Sequence, residues 1–169
     1  MSEKPLRLLL VEGDENGIQQ TRSMLQKGFG TGCEIEAVGL AERAIQRLRG
    51  AEWDAVLLDA TLPHSEASKT VWRIHEAAPD TALVVLTGDP DPAGGLEAIR
   101  QGAQDFLVKG RADADILARA VRYAVERKRF ERELKRHHGR LQDLVDEATR
   151  DLLDANEQLQ REVRERKAA

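Results

Sequence analysis

The sequence predicts an α/β fold: a five-stranded parallel sheet with helices on both faces, its last helix extended into a coiled coil. Three observations carry the prediction. Short, nearly continuous apolar runs recur five times, as strands buried on both faces require. Segments of helical period alternate with them, the signature of consecutive βαβ units. From residue 113 onward the chain has no proline and one glycine, Gly139.

The elements follow in order. Leu6–Val11 is apolar except at Arg7 and reads as the first strand. Asn16–Gly28 reads as a helix with Ile18, Met24 and Leu25 inward and Gly28 as its stop. Glu34–Val38 is a short strand. Leu40–Arg49 is an amphipathic helix with Ala41, Ala44, Ile45 and Leu48 inward, ended by Gly50. Ala55–Leu58 is the third strand, Ser68–Ala78 a helix stopped by Pro79, and Ala82–Leu86 the fourth strand. Pro92–Gln101 is a short helix ended by Gly102, and Phe106–Val108 the fifth strand. Right-handed crossovers leave few topologies for such a chain. Asp113 is a suitable N-cap for the last helix, in which Ile116, Leu117, Ala120, Val121 and Ala124 form a stripe that should pack on the sheet.

Beyond this stripe a seven-residue repeat sets in. Leu134, Leu141, Ala148 and Ala155 share one position, and His138, Val145, Leu152 and Leu159 the position four residues later. Such a seam calls for a partner helix. A helix over 113–167 would be roughly 80 Å long, too long for one small domain to cover, so a parallel homodimer is expected, with a solvated single helix as the alternative. Gly139 costs about 1 kcal/mol in helix propensity and marks the expected bend. The domain boundary is placed at 125/126, giving a compact domain over 1–125 and a helical extension over 126–169.

Composition narrows the function. Residues 1–110 carry 17 acidic and 11 basic side chains, and residues 111–169 carry 13 and 15. Dense, balanced charge in the tail suits a solvated helix rather than a nucleic-acid arm, because Glu126, Glu131 and Glu133 interrupt the basic cluster from Arg127 to Arg136. The single Cys33 forbids an internal disulfide, fits a reducing compartment, and reads as a small core residue. No apolar run approaches membrane-spanning length and no signal peptide precedes the first strand. A cytoplasmic protein is expected.

The chemistry lies at the strand ends. Asp59 closes the third strand, Thr87 the fourth and Lys109 the fifth, while Glu12-Gly13-Asp14 follows the first. In an open α/β sheet these positions face one crevice. Alone, each is an ordinary turn residue; together they form a constellation suited to phosphoryl transfer. A carboxylate can accept a phosphoryl group as an acyl phosphate, an ammonium and a hydroxyl can meet the charge on its oxygens, and carboxylates can hold Mg2+.

These residues resemble the response-regulator receiver family of two-component signalling. The matching pieces are Leu8-Leu9-Leu10-Val11-Glu12-Gly13-Asp14, Asp54-Ala55-Val56-Leu57-Leu58-Asp59-Ala60-Thr61-Leu62-Pro63, Val84-Val85-Leu86-Thr87-Gly88 and Gly102-Ala103-Gln104-Asp105-Phe106-Leu107-Val108-Lys109. The resemblance covers about residues 5 to 125. It implies the flavodoxin-like strand order 2-1-3-4-5, with Asp59 as phosphoacceptor, Thr87 as switch hydroxyl, Phe106 as switch aromatic and Lys109 as phosphate-pairing lysine. Mg2+ would be held by Glu12, Asp59 and the Thr61 backbone carbonyl, with Asp14 as a further candidate. It also implies a sensor histidine kinase as phosphodonor, and a turn at Pro63.

Three departures stand out. Gly13 occupies the position where the family has its second acid, the usual direct metal ligand, so weakened Mg2+ binding is expected. Gly110 follows Lys109 where proline is frequent, so no cis bond is expected there. The loop His64-Ser65-Glu66-Ala67-Ser68 lacks the usual glycine. The alternative reading is therefore a phosphorylation-independent pseudo-receiver acting as a dimerisation scaffold.

The stretches Arg119–Lys128 and Glu147–Glu162 resemble the exit helix and linker coil of receivers joined to further signalling modules, so an output domain downstream is expected. Three other readings are set aside. His137-His138 lacks the surroundings of a histidine-kinase phosphoacceptor. A haloacid-dehalogenase phosphatase needs an acid where Thr61 stands, so no enzyme is expected. A flavin site needs a phosphate cradle where Glu12-Gly13-Asp14-Glu15 is acidic. Trp53, Trp72 and Tyr123 read as packing residues, and His64 and His75 form no metal pattern with Cys33.

Overall fold

A computed structural model describes residues 4–62, 66–88 and 92–169, with backbone only at Pro92. The elements run β1 (Leu6–Val11), α1 (Glu15–Phe29), β2 (Cys33–Val38), α2 (Ala41–Gly50), β3 (Ala55–Asp59), α3 (Ala67–Ala77), β4 (Ala82–Thr87), α4 (Pro92–Arg100), β5 (Asp105–Val108) and α5 (Ala114–Ala168). All pairings are parallel, in the order β2-β1-β3-β4-β5, which is the expected topology. The turn expected at Pro63 and the loop residues His64 and Ser65 lie outside the described residues.

The central strands are apolar because both faces are covered, and their side chains alternate between two cores. Leu9, Val11, Val56, Leu58, Leu83 and Val85 point to the core shared with α2, α3 and α4. Leu8, Leu10, Ala55, Leu57, Val84 and Leu86 point to the core that receives Leu25 of α1 and Leu117, Val121 and Ala124 of α5. A fully buried leucine contributes about 2 kcal/mol relative to an exposed one, and Leu8, Leu9, Leu10, Leu57 and Leu58 are all fully buried. Five such residues in β1 and β3 fix the two strands that carry the acidic groups.

Asp113 caps α5 as expected, accepting from the Ile116 amide at 2.8 Å. The stripe on α5 is buried at Leu117, Ala120, Val121 and Ala124 and extends to Ala118 and Val125, while Ile116 is only half-buried. Trp53 is the packing residue expected: it is buried, donates to the Arg47 carbonyl and carries the Arg7 guanidinium over its ring.

Three expectations are corrected. Gly28 does not stop α1. The helix ends at Phe29 and is capped by Gly30 at φ 60°, whose amide bonds to the Gln26 carbonyl. A Cβ on Gly28 would stand 2.5 Å from the Ala118 Cβ and 2.7 Å from the Ala114 carbonyl oxygen, so Gly28 exists to let α1 and α5 approach. Trp72 and Tyr123 are exposed, at 51% and 62%, rather than packed. Gly28→Ala is expected to lower stability by about 1–2 kcal/mol in urea melts, because overpacking against backbone outweighs the gain in helix propensity. A stabilised variant would show that the two helices part without cost.

The chain divides into two compact units, Met1–Arg129 and Phe130–Ala169. Residues 130–168 are helical throughout, Gly139 included, and every one is exposed. No helix of the described residues is long and apolar enough to cross a membrane.

Candidate functional site

The site forms where the strand order reverses, at the carboxyl ends of β1 and β3, with the ends of β4 and β5 beside them. Asp59 is the last residue of β3, pairs with Leu86 of β4 and is 3% exposed. Glu12 follows β1, is 1% exposed and prolongs the ladder through its amide to the Val38 carbonyl. Lys109 follows β5, and its amide bonds to the Thr87 carbonyl at 2.7 Å, so β4 and β5 end together. From there the lysine reaches past the end of β4.

Its ammonium donates to Asp59 Oδ2 at 2.7 Å and to Glu12 Oε2 at 2.5 Å. One cation thus bridges two buried carboxylates contributed by strands distant in sequence. Asp59 Oδ1 is held by Thr61, through the backbone amide and the hydroxyl, both at 2.8 Å. Glu12 Oε1 accepts the Asp14 amide at 3.1 Å.

The electrostatics follow from this geometry. Burial pushes the Asp59 carboxyl up, but hydrogen bonds from Glu12, Lys109 and Thr61 outweigh it and hold the group below its ordinary range. Burial raises Glu12, as does the hydrogen bond it shares with Asp59, and Lys109 and the Asp14 amide only partly reverse this. Burial alone would lower Lys109; its bonds to Asp59 and Glu12 raise it instead.

The remaining expected residues are placed as follows. Thr87 ends β4, half-buried, beside this cluster. Phe106, in β5, packs on the core of the α2–α4 face. Asp14 is the N-cap of α1: its Oδ2 accepts the Gly17 amide at 2.8 Å. Gly13 is exposed between the two acids and offers no side-chain ligand.

Three contributors escaped the sequence reading. The Thr61 hydroxyl is one. Gly17 is another: a Cβ there would lie 2.7 Å from the Glu12 carboxylate, so any larger residue in the first turn of α1 would push that carboxylate from its place. Gly95 in α4 is the third, since a Cβ on it would overlap the Phe106 ring.

The arrangement offers a nucleophilic carboxylate, a second carboxylate and a fixed cation at one strand edge. The model of the response regulator receiver domain matches residues 8–121 of the sequence. The chain belongs to that family. Among curated relatives, the receiver is 34% identical over 94 residues to the regulatory protein LuxO of Vibrio cholerae, which covers 56% of the chain and 20% of LuxO. It is 33% identical over 111 residues to the two-component response regulator ORR41 of Oryza sativa subsp. japonica, covering 64% of the chain and 87% of the relative. The matched stretch spans about a fifth of LuxO and most of ORR41.

Among solved structures, it resembles the signal receiver domain of an HD domain-containing protein from Pseudomonas fluorescens Pf-5. The TM-score is 0.68 at 30% identity, covering 79% of this chain and 96% of that one. The receiver domain of sensor histidine kinase PA1611 from Pseudomonas aeruginosa PAO1, with a magnesium ion in its active-site cleft, matches with TM-score 0.62 at 20% identity. That match covers 72% of this chain and 98% of the other, and it speaks to the fold.

The donor set can be tested against such an ion. Mg2+ takes one or two carboxylates and keeps several waters. Asp59 and Glu12 supply two, so the residues fit the ion. Among the described residues no third acid, histidine or cysteine joins them.

Proposed function

We propose that this receiver accepts a phosphoryl group on Asp59 from the phosphohistidine of a sensor histidine kinase and passes the resulting change to a dimeric helical output. One observation supports the reading above the rest: a single ammonium, Lys109, joins Asp59 and Glu12 at one sheet edge. In the transfer an Asp59 oxygen attacks phosphorus, the P–N bond of the donor breaks, and the imidazole leaves as the neutral base after taking a proton. Thr61 fixes Oδ1 and so orients the carboxylate. Lys109 turns from the Asp59 oxygen to the new phosphoryl oxygens, and the Thr87 hydroxyl donates to another. Phe106 then follows Thr87, which alters the face formed by α4, β5 and α5.

Mg2+ would be held by Asp59, Glu12 and the Thr61 carbonyl, with Asp14 near enough in sequence to act through water. When bound it neutralises charge on the phosphoryl oxygens. Gly13 leaves this ion weakly held. The chain itself carries out no steady turnover on this reading, and it works in the cytoplasm with a kinase, a second copy of itself and an output domain as partners; nucleic acid is not among them.

Incubation with acetyl phosphate and magnesium is expected to add one phosphoryl group, read by intact mass, and Asp59→Asn is expected to lose the addition entirely. No addition to the wild type, or an equal one to the variant, rules the reading out. The closed Glu12–Lys109–Asp59 cluster and the missing acid at Gly13 favour a second reading, a phosphorylation-independent scaffold. A beryllofluoride titration separates the two: spectra that never respond, in a protein that still dimerises, select the scaffold.

A further inference from the structure

Residues 130–168 are helical, and their apolar side chains are exposed: Leu134, Leu141, Val145, Leu152 and Leu159 are all 57% exposed or more. A two-stranded coil buries only two columns of a heptad. This helix carries three over its first half. The column Leu134, Leu141, Ala148 is flanked on one side by His138, Val145, Leu152 and on the other by Phe130, His137, Leu144. Phe130 and Leu144 are as exposed as the rest, at 66% and 61%.

Both flanks make a valid seam. With His138, Val145 and Leu152, the spacing from Leu134 alternates four and three. With Phe130, His137 and Leu144, it alternates four and three from Phe130. The two seams share the central column, and each takes one residue from the neighbouring pairs His137-His138 and Leu144-Val145. Passing from one to the other requires each helix to turn about 50° on its axis, half the angle between successive residues. Over residues 130–148 either choice leaves one apolar column in water, so burial does not decide between them there; beyond it the first column continues with Leu152 and Leu159, where the other meets Asp151 and Gln158.

We infer that a second copy of this chain docks in parallel along residues 130–159 and that, over residues 130–148, the pair has two alternative seams sharing Leu134, Leu141 and Ala148. The inference rests on the dimeric half of the proposed function and names the two states of that output. Self-pairing is argued by the pattern. Parallel register stacks each column on itself. The pairs that flank the first seam, Phe130 with Lys135, His137 with Gln142 and Leu144 with Thr149, set no like charges together. Those of the second, Glu133 with His138 and Arg140 with Val145, set none either. Over residues 130–148 repulsion therefore does not choose between the seams.

Single cysteines placed in the full chain carrying Cys33→Ser, oxidised with copper phenanthroline, test this, because disulfides form only at short Cβ separations. Leu141→Cys, Val145→Cys and Leu144→Cys are each expected to cross-link at least roughly tenfold faster than Asp143→Cys, which faces away from both seams. Beryllofluoride with magnesium is expected to change the ratio of the Val145 to the Leu144 product. If only one of these two sites cross-links while Leu141→Cys does so and light scattering gives a dimer, a single seam exists and the inference fails, with the dimer intact. A dimer without same-site cross-links is antiparallel and also overturns it, as does a trimer or tetramer that buries all three columns at once. A monomer removes the dimeric reading itself.

Discussion

Lys109→Met is expected to lower the unfolding free energy by about 3 kcal/mol near pH 8, and by much less near pH 5, in urea melts followed by circular dichroism. The variant leaves two carboxyls, 1% and 3% exposed, without their shared cation. Breaking a buried ion pair from one side costs about 3–5 kcal/mol. The low end applies because the Lys109 side chain is 32% exposed and part of its interaction is already screened.

The pH dependence has a definite sign. Lys109 has a raised pKa, so its contribution is complete below the ordinary value of 10.5 and is lost only as pH rises through the folded value. Asp59 has a lowered pKa, so its contribution is present above 3.8 and is lost as pH falls through the folded value. Glu12 has a raised pKa, so its ionisation counts against folding once pH exceeds 4.5, in full above the folded value. Without the ammonium both acids move up and titrate as one coupled pair. Acid then lets one of them take a proton, which relieves the repulsion and closes most of the gap to wild type. A deficit equal at both pH values would assign the loss to the packing of the lysine stem.

Most of the scaffold was legible because burial on both faces writes itself as uninterrupted apolar strands. Leu8-Leu9-Leu10-Val11 and Ala55-Val56-Leu57-Leu58 admit no other element of that length between their flanking turns. The meeting of Asp59, Glu12 and Lys109 followed from their places at the ends of parallel strands together with the strand order that the family resemblance implied. What escaped depends on partners remote in sequence. Gly28 reads as a helix stop until Ala118 is known to lie against it, and Gly17 and Gly95 are silent until Glu12 and Phe106 are placed beneath them. Three misses had a signal. The hydroxyl of Thr61 sits two residues beyond an aspartate, the spacing at which a carboxylate takes local donors. Tyr123 falls out of phase with Leu117, Val121 and Ala124 on α5, and Trp72 out of phase with Val71 and Ile74 on α3, so helical period outranks aromatic character in deciding exposure.

Gly13→Asp is expected to tighten Mg2+ binding roughly tenfold to a hundredfold by isothermal titration, in line with about 2 kcal/mol for a further carboxylate near a divalent ion in a partly hydrated cleft. The position is exposed at the mouth of the site, between the buried Glu12 and the capping Asp14. The same substitution adds a negative charge beside a carboxyl pair that has one ammonium to serve it, so the metal-free variant should melt lower than wild type. Magnesium reverses that order, because an ion bound by the folded chain alone stabilises it by RT ln(1 + [L]/Kd). The crossing of the two melting curves with added magnesium is the signature. It separates ligand supply from general charge repulsion, which salt of any kind would screen. If the variant binds magnesium no better and is rescued equally by sodium chloride, Gly13 is not the missing position in the ligand set, and weak magnesium binding would have to be traced to the ammonium already lodged between Glu12 and Asp59.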